Sequence, residues 1–112
     1  MPDPVVTFLT RTKRLIRLGR CRFESRQYPD GRDYLTVLTE DFMITVAHAW
    51  EQISRLTQHL VVCDGKPDYE KDADTYVFKK TINSVVAYIK IKIEHDSHGE
   101  VVVVISFHKD DY

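Results

Sequence analysis

The sequence predicts a small α+β domain, an antiparallel β-sheet with helices packed on one face, spanning residues 1–112 as one unit. Three observations predict it. A chain of 112 residues is long enough for one hydrophobic core and too short for two ordinary domains. The segment from about Thr75 to His108 reads as strands, most clearly Tyr88-Ile89-Lys90-Ile91-Lys92-Ile93, where the isoleucines face one way and Tyr88, Lys90 and Lys92 the other. The first half instead carries apolar stripes at helical spacing, of which Ala49, Ile53 and Leu56 are the clearest.

Taken in order, Thr7 to Leu18 reads as a helix with Phe8, Leu9, Leu15 and Ile16 near one stripe and Arg11, Lys13, Arg14 and Arg17 largely off it. Gly19 stands where a left-handed cap ends a helix. Arg20 to Arg26 alternates as a short strand with one basic face. Tyr28-Pro29-Asp30-Gly31 is a turn by composition. Asp33 to Glu40 reads as a short helix, and Thr45 is the expected N-cap of a second one running from about Val46 to Leu56. Leu60 to Cys63 is a short buried strand. Asp64 to Asp74, polar and acidic, reads as a surface loop. The strands Thr75–Lys80, Val85–Ile93 and Val101–His108 follow, the last two joined through Asp96-Ser97-His98-Gly99. Val101 to Phe107 is apolar almost throughout, as expected of a central strand buried on both faces.

Apolar residues make up 43% of the chain and charged residues 29%, a globular rather than a disordered balance. No apolar run approaches the roughly 20 residues of a membrane span, and Met1-Pro2-Asp3-Pro4 does not open like a signal peptide. Cys21 and Cys63 lack the spacing of a zinc site or a disulfide framework and are expected to be buried thiols. A cytoplasmic protein without membrane contact is the expectation. The net charge of −1 hides an asymmetry: residues 1–27 hold seven Lys/Arg against two acids, whereas residues 28–75 hold ten acids against four bases. The basic stretch Arg11–Arg26 can meet an acidic partner segment or a polyanion, or form an ordinary solvated face.

No phosphate-binding glycine loop, HExxH or GxSxG is present. His48, His59, His95, His98 and His108 do not fall at metal-ligand spacings, so neither a metal nor an organic cofactor is expected. The suggestive residues lie on the predicted sheet. Tyr88, Lys90 and Lys92 share one strand face, His108 ends the neighbouring strand, and Lys79 and Lys80 end another. Tyr, Lys and His can donate protons, and Lys can hold a phosphate. A metal-free ribonuclease needs one group to take the ribose 2′-OH proton, one to protonate the leaving 5′-oxygen, and cations to meet the charge growing on phosphorus. The same residues also suit a solvated sheet face.

Several segments resemble a known family. Leu15-Ile16-Arg17-Leu18-Gly19-Arg20-Cys21-Arg22, preceded by Lys13, resembles the opening of MqsR-type toxins of the RelE-like mRNA interferase superfamily. Val77-Phe78-Lys79 followed by Tyr88-Ile89-Lys90-Ile91, and Val104-Ile105-Ser106-Phe107, resemble two further segments of that family in the same order. The similarity runs from about residue 8 to residue 108. It implies a RelE-like domain and a bacterial type II toxin that cleaves RNA without a metal and is held by a cognate antitoxin. It places the catalytic tyrosine on Tyr88 and a catalytic lysine on Lys90. His108 stands where the family has lysine, with Lys109 beside it. Thr75 stands for a family glutamine, and Gln58–Cys63 lacks a family lysine, His59 being the nearest ionisable side chain. The implied site is thus Tyr88, His108 and Lys90 for catalysis, with Lys79, Lys80, Lys92 and Lys109 holding substrate. A second reading is a non-catalytic RelE-like domain that binds protein or RNA. A third is a small interaction domain in which Trp50 and Tyr28 mark an exposed patch, although Trp50 is expected to be buried beside its helix stripe.

Overall fold

A computed structural model describes residues 3–25, 27–63 and 75–110. Its described elements are three α-helices and a five-stranded mixed sheet. Helix α1, Pro4–Arg17, begins three residues before the expected start, because Asp3 is its cap. The Asp3 carboxylate accepts the Val5 N–H at 2.8 Å, and Pro4 occupies the first turn, where its missing N–H costs nothing. Val5, Phe8, Leu9, Thr12 and Leu15 form its buried stripe. The helix closes as expected at Gly19, whose φ of +75° lets Arg20 N–H reach the Leu15 carbonyl at 2.8 Å and Gly19 N–H the Ile16 carbonyl at 3.0 Å.

Strand β1, Cys21–Phe23, is shorter than the sequence suggests. After the Tyr28–Gly31 turn, Asp33 caps helix α2, Tyr34–Val37, through the Thr36 N–H. The expected single helix here widens into a π-helix, Leu38–Phe42, that buries Leu38 and Phe42 together and ends on Met43 at φ 57°. Thr45 caps helix α3, Val46–Ser54, by accepting the His48 N–H at 3.1 Å, as the sequence predicts. A 3₁₀ turn, Gln58–Leu60, leads into β2, Val61–Cys63. The loop expected over Asp64–Asp74 lies outside the described residues, as does the side chain of Cys63. Cys21 is half-buried, and burial raises its thiol above the ordinary range.

The strands β3 (Thr75–Ile82), β4 (Val85–Asp96) and β5 (Gly99–Lys109) form two successive hairpins. Asn83 and Ser84, both at positive φ, turn the first in the sense that matches strand twist. The sheet order is β1-β5-β4-β3-β2. Its C-terminal strands are antiparallel as expected, but β1 runs parallel to β5, pairing Cys21 with Val102 and Phe23 with Val104. A strand that follows a helix and pairs with β5 on the side away from β4 is free of the hairpin constraint that forces antiparallel pairing.

One cluster of buried side chains joins the helices to the sheet. Ala87, Ile89, Ile91 and Ile93 of β4 lie in it with Phe78, Val102, Val104 and Phe107, and with Phe8, Leu9, Leu38, Phe42, Ala49 and Ile53 from the helical segments. Phe42 meets Phe107 edge-on at 5.3 Å, and Phe23 packs between Tyr34 at 4.6 Å and Trp50 at 4.9 Å. Trp50 is therefore a half-buried core partner, as expected, and Tyr28 is buried rather than part of an exposed patch. β5 is buried on both faces from Val101 to Val104, as its apolar run predicts.

Candidate functional site: a tyrosine, histidine and lysine row

Side chains of a strand alternate, so the register of three strands decides which candidate residues share a surface. Lys79, Tyr88 and His108 are mutual Cα partners across β3, β4 and β5 and form one row. Val77, Lys90 and Ser106 form the next row on the same face. Neighbouring strands lie about 4.8 Å apart and alternate residues about 7 Å apart, so Lys79, Tyr88, His108 and Lys90 occupy a patch about 10 Å across.

A bulge creates this arrangement. From the Asp96–Gly99 closure to the Ile91–Val104 pair, the β4–β5 ladder is regular. The next pair is Lys90 with Ser106, so Ile105 is an extra residue opposite the Lys90/Ile91 step. An uninterrupted ladder would pair His108 with Ala87, whose side chain belongs to the core. The extra residue instead moves His108 to the Tyr88 face and Phe107 into the core.

The two rings then stack, centroids 4.9 Å apart at an interplanar angle of 11°. His108 Nδ1 lies 2.7 Å from the Lys109 carbonyl oxygen. A carbonyl only accepts, so this bond assigns the proton to Nδ1. Tyr88, Lys90 and His108 are half-buried. Among the described residues the Lys90 ammonium has no ion pair or hydrogen bond, so its charge is uncancelled on this face.

The other candidate cations are placed differently. Lys79 lies beside Tyr88, with its ammonium 3.0 Å from the Asp110 carboxylate. Lys92 is on the same face two residues beyond Lys90, but it is buried and bound to Glu94 at 2.8 Å. Lys80 pairs with Ala87 and belongs to the opposite face, where it donates to the Gln52 carbonyl at 3.4 Å; burial, and then the nearby Arg55 charge, lower its proton affinity. Lys109 also pairs with Ala87, and its ammonium is 3.9 Å from Asp41. The sequence thus places seven residues in one site, and the register brings four of them into the patch. Thr75 is buried two rows away, and His59 is exposed on the 3₁₀ turn.

The basic stretch is also partly committed. Arg11 pairs with Glu100, Arg20 with Asp96 at 2.6 Å and Arg22 with Glu94 at 3.3 Å, so acids of the β4–β5 hairpin offset three of its charges. Lys13, Arg14 and Arg17 stay exposed on α1, Arg14 reaching Glu100 only at 4.0 Å. Among the described residues no group of three or more His, Cys, Asp or Glu could hold a metal ion, and no helix is long and apolar enough to cross a membrane. No protein-family model, curated protein or solved structure matches this chain.

Proposed function

We propose that this chain is a metal-independent endoribonuclease, an mRNA interferase toxin of the RelE-like kind, with Tyr88 and His108 as its proton-transfer pair. The observation that carries the reading is the shared row of Lys79, Tyr88 and His108 with the uncancelled Lys90 beside it. With its Nδ1–H bound to the Lys109 carbonyl, His108 takes the ribose 2′-OH proton on Nε2. The 2′-oxygen attacks phosphorus, and the P–O5′ bond breaks. The Tyr88 phenol gives its proton to the departing 5′-oxygen. Lys90 stabilises the added phosphate charge, and Lys79 joins it when phosphate displaces the Asp110 carboxylate. In this reading α1, α2 and α3 pack on the Ala87/Ile89/Ile91/Ile93 face in RelE-like manner and leave the Tyr88 row to RNA; the single core cluster supports that packing. The protein acts in the cytoplasm.

An RNA-cleavage assay tests the proposal. Cleavage persists in EDTA, and Tyr88→Phe and His108→Ala each lower its rate on the order of 10²–10⁴-fold with the fold intact. Cleavage lost to chelation and restored by magnesium, or a folded double variant that cuts RNA at the wild-type rate, overturns it. The exposed Lys13, Arg14 and Arg17 form the surface offered to a cognate antitoxin, so binding of a co-expressed acidic partner weakens with added salt. The ion pairs that occupy Lys79 and Lys92 favour a second reading, a RelE-like domain that binds protein or RNA without cutting it. RNA bound but left whole by the wild-type protein supports that reading instead.

A further inference from the structure

Tyr28 is not among the candidate site residues above, yet it meets the candidate site from below. β1 ends at Phe23, and among the described residues the Glu24 N–H makes the last backbone bond from that segment to β5, to the Val104 carbonyl at 2.8 Å. Beyond that point β5 continues without β1 beside it. The Tyr28 hydroxyl takes the place of the absent strand. It accepts the Phe107 N–H at 3.0 Å and lies 3.4 Å from the Phe107 carbonyl, to which it donates. One phenol can do both at once. Tyr28 is only 5% exposed, and its ring stands nearly perpendicular to the His108 imidazole, at 78° with centroids 5.8 Å apart.

The imidazole is therefore held from several directions. Tyr88 stacks on its plane, Tyr28 meets it at a right angle, and the Lys109 carbonyl takes its Nδ1–H. The backbone one residue before it is clamped by the Tyr28 hydroxyl. Such bracing matters here because the bulge at Ile105 interrupts the ladder just upstream. We propose that Tyr28 is a positioning residue for His108, fixing its ring against Tyr88 with Nδ1–H bound to the Lys109 carbonyl. The inference rests on the reading of Tyr88 and His108 as the proton-transfer pair.

The test compares ¹⁵N-labelled wild-type protein with Tyr28→Phe, which keeps the ring and loses the hydroxyl, and Tyr28→Leu, which loses both. His108 imidazole nitrogen shifts and ring contacts with Tyr88 are read by NMR, and RNA cleavage is measured in parallel. In Tyr28→Phe the Nδ1–H signature moves toward tautomer averaging. kcat falls about 10-fold while KM stays within about twofold, because misplacing a proton-transfer group costs rate rather than binding. Tyr28→Leu shows both effects more strongly. Unchanged imidazole shifts and ring contacts in the two folded variants overturn the proposal, as does a changed imidazole with unchanged kcat. Wild-type protein that cuts no RNA refutes the nuclease reading alone, since the NMR comparison still decides whether Tyr28 braces His108.

Discussion

Strand β4 carries polar side chains on one face from Tyr88 to Asp96, and the two ends of that row treat them in opposite ways. Toward the Asp96–Gly99 turn nearly every charge is answered: Lys92 and Arg22 both reach Glu94, Arg20 reaches Asp96, and Arg11 reaches Glu100. Toward the Asn83-Ser84 turn the same face presents Tyr88 stacked on His108 and a lysine, Lys90, with no ion pair among the described residues. The first end is organised to hold β1 and α1 against the hairpin. The second keeps a charge and two side chains capable of proton transfer together, an arrangement that adds little to the fold and much to a site for an anion. The lesson is that residue type does not separate a structural lysine from a functional one; the neighbours that cancel its charge do.

The largest expected effect breaks the contrast at its functional end. Removing either member of the proposed proton-transfer pair, Tyr88 or His108, is expected to cost on the order of 10²–10⁴-fold in RNA cleavage. Both groups sit half-buried on the sheet face and outside the main cluster, so thermal stability changes little. A Tyr88→Phe protein that loses stability instead of activity would show that this end, too, is structural.

Lys90 and Lys92 sharpen the comparison, because they are identical in type and two residues apart on one face. Lys90→Ala is expected to raise KM for RNA and lower kcat together while shifting stability by no more than about 0.5 kcal/mol. Lys92→Ala removes a buried partner of Glu94 and is expected to destabilise by about 1–3 kcal/mol, with Arg22 offsetting part of the loss. Its effect on cleavage is expected to be smaller than that of Lys90→Ala. Denaturant melts and cleavage kinetics on the two variants check this, and equal profiles would erase the distinction between the ends.

Much of the fold is legible in the sequence, and the reason differs from element to element. The α3 stripe and its Thr45 cap, the Gly19 closure of α1 and the three C-terminal strands follow from local spacing, which the structure respects. The parallel pairing of β1 and the π-helix do not, because each depends on distant partners: Val102–Val104 for one, Phe107 and the Asn83 amide bonding the Phe42 carbonyl for the other. At the site, counting residues from the hairpin turn brings His108 near Tyr88 but does not choose its face. That choice belongs to Ile105, and in the run Val101–Phe107, apolar but for Ser106, an extra residue leaves no break in alternation to see. Lys80 and Lys109 fall on the wrong side by the same alternation that makes them neighbours of Lys79 and His108 in sequence. Tyr28 carries no signal beyond an aromatic at the start of a Pro-Asp-Gly turn.

The smallest expected effect probes the structural end by pH. The Asp96 carboxylate accepts the His98 N–H at 2.7 Å and pairs with Arg20 at 2.6 Å, and these contacts, the backbone bond first, hold its proton affinity below the ordinary carboxylate range. An unfolded aspartate protonates near pH 3.9, about the ordinary value. A carboxyl group whose folded value is depressed contributes stability that is fully present above that unfolded value and is lost as pH falls through the folded one. Asp96→Asn keeps an acceptor for the His98 N–H and removes only the charge. The Tm difference between wild type and Asp96→Asn is therefore expected to be small, constant above about pH 4 and shrinking as the pH falls below that. Salt should reduce it as well, since both partners are partly exposed, with side chains 31% and 44% accessible. A difference that grows as the solution is acidified would mean that the charge of Asp96 is not what ties the hairpin to Arg20, and the contrast between the two ends of β4 would lose one of its supports.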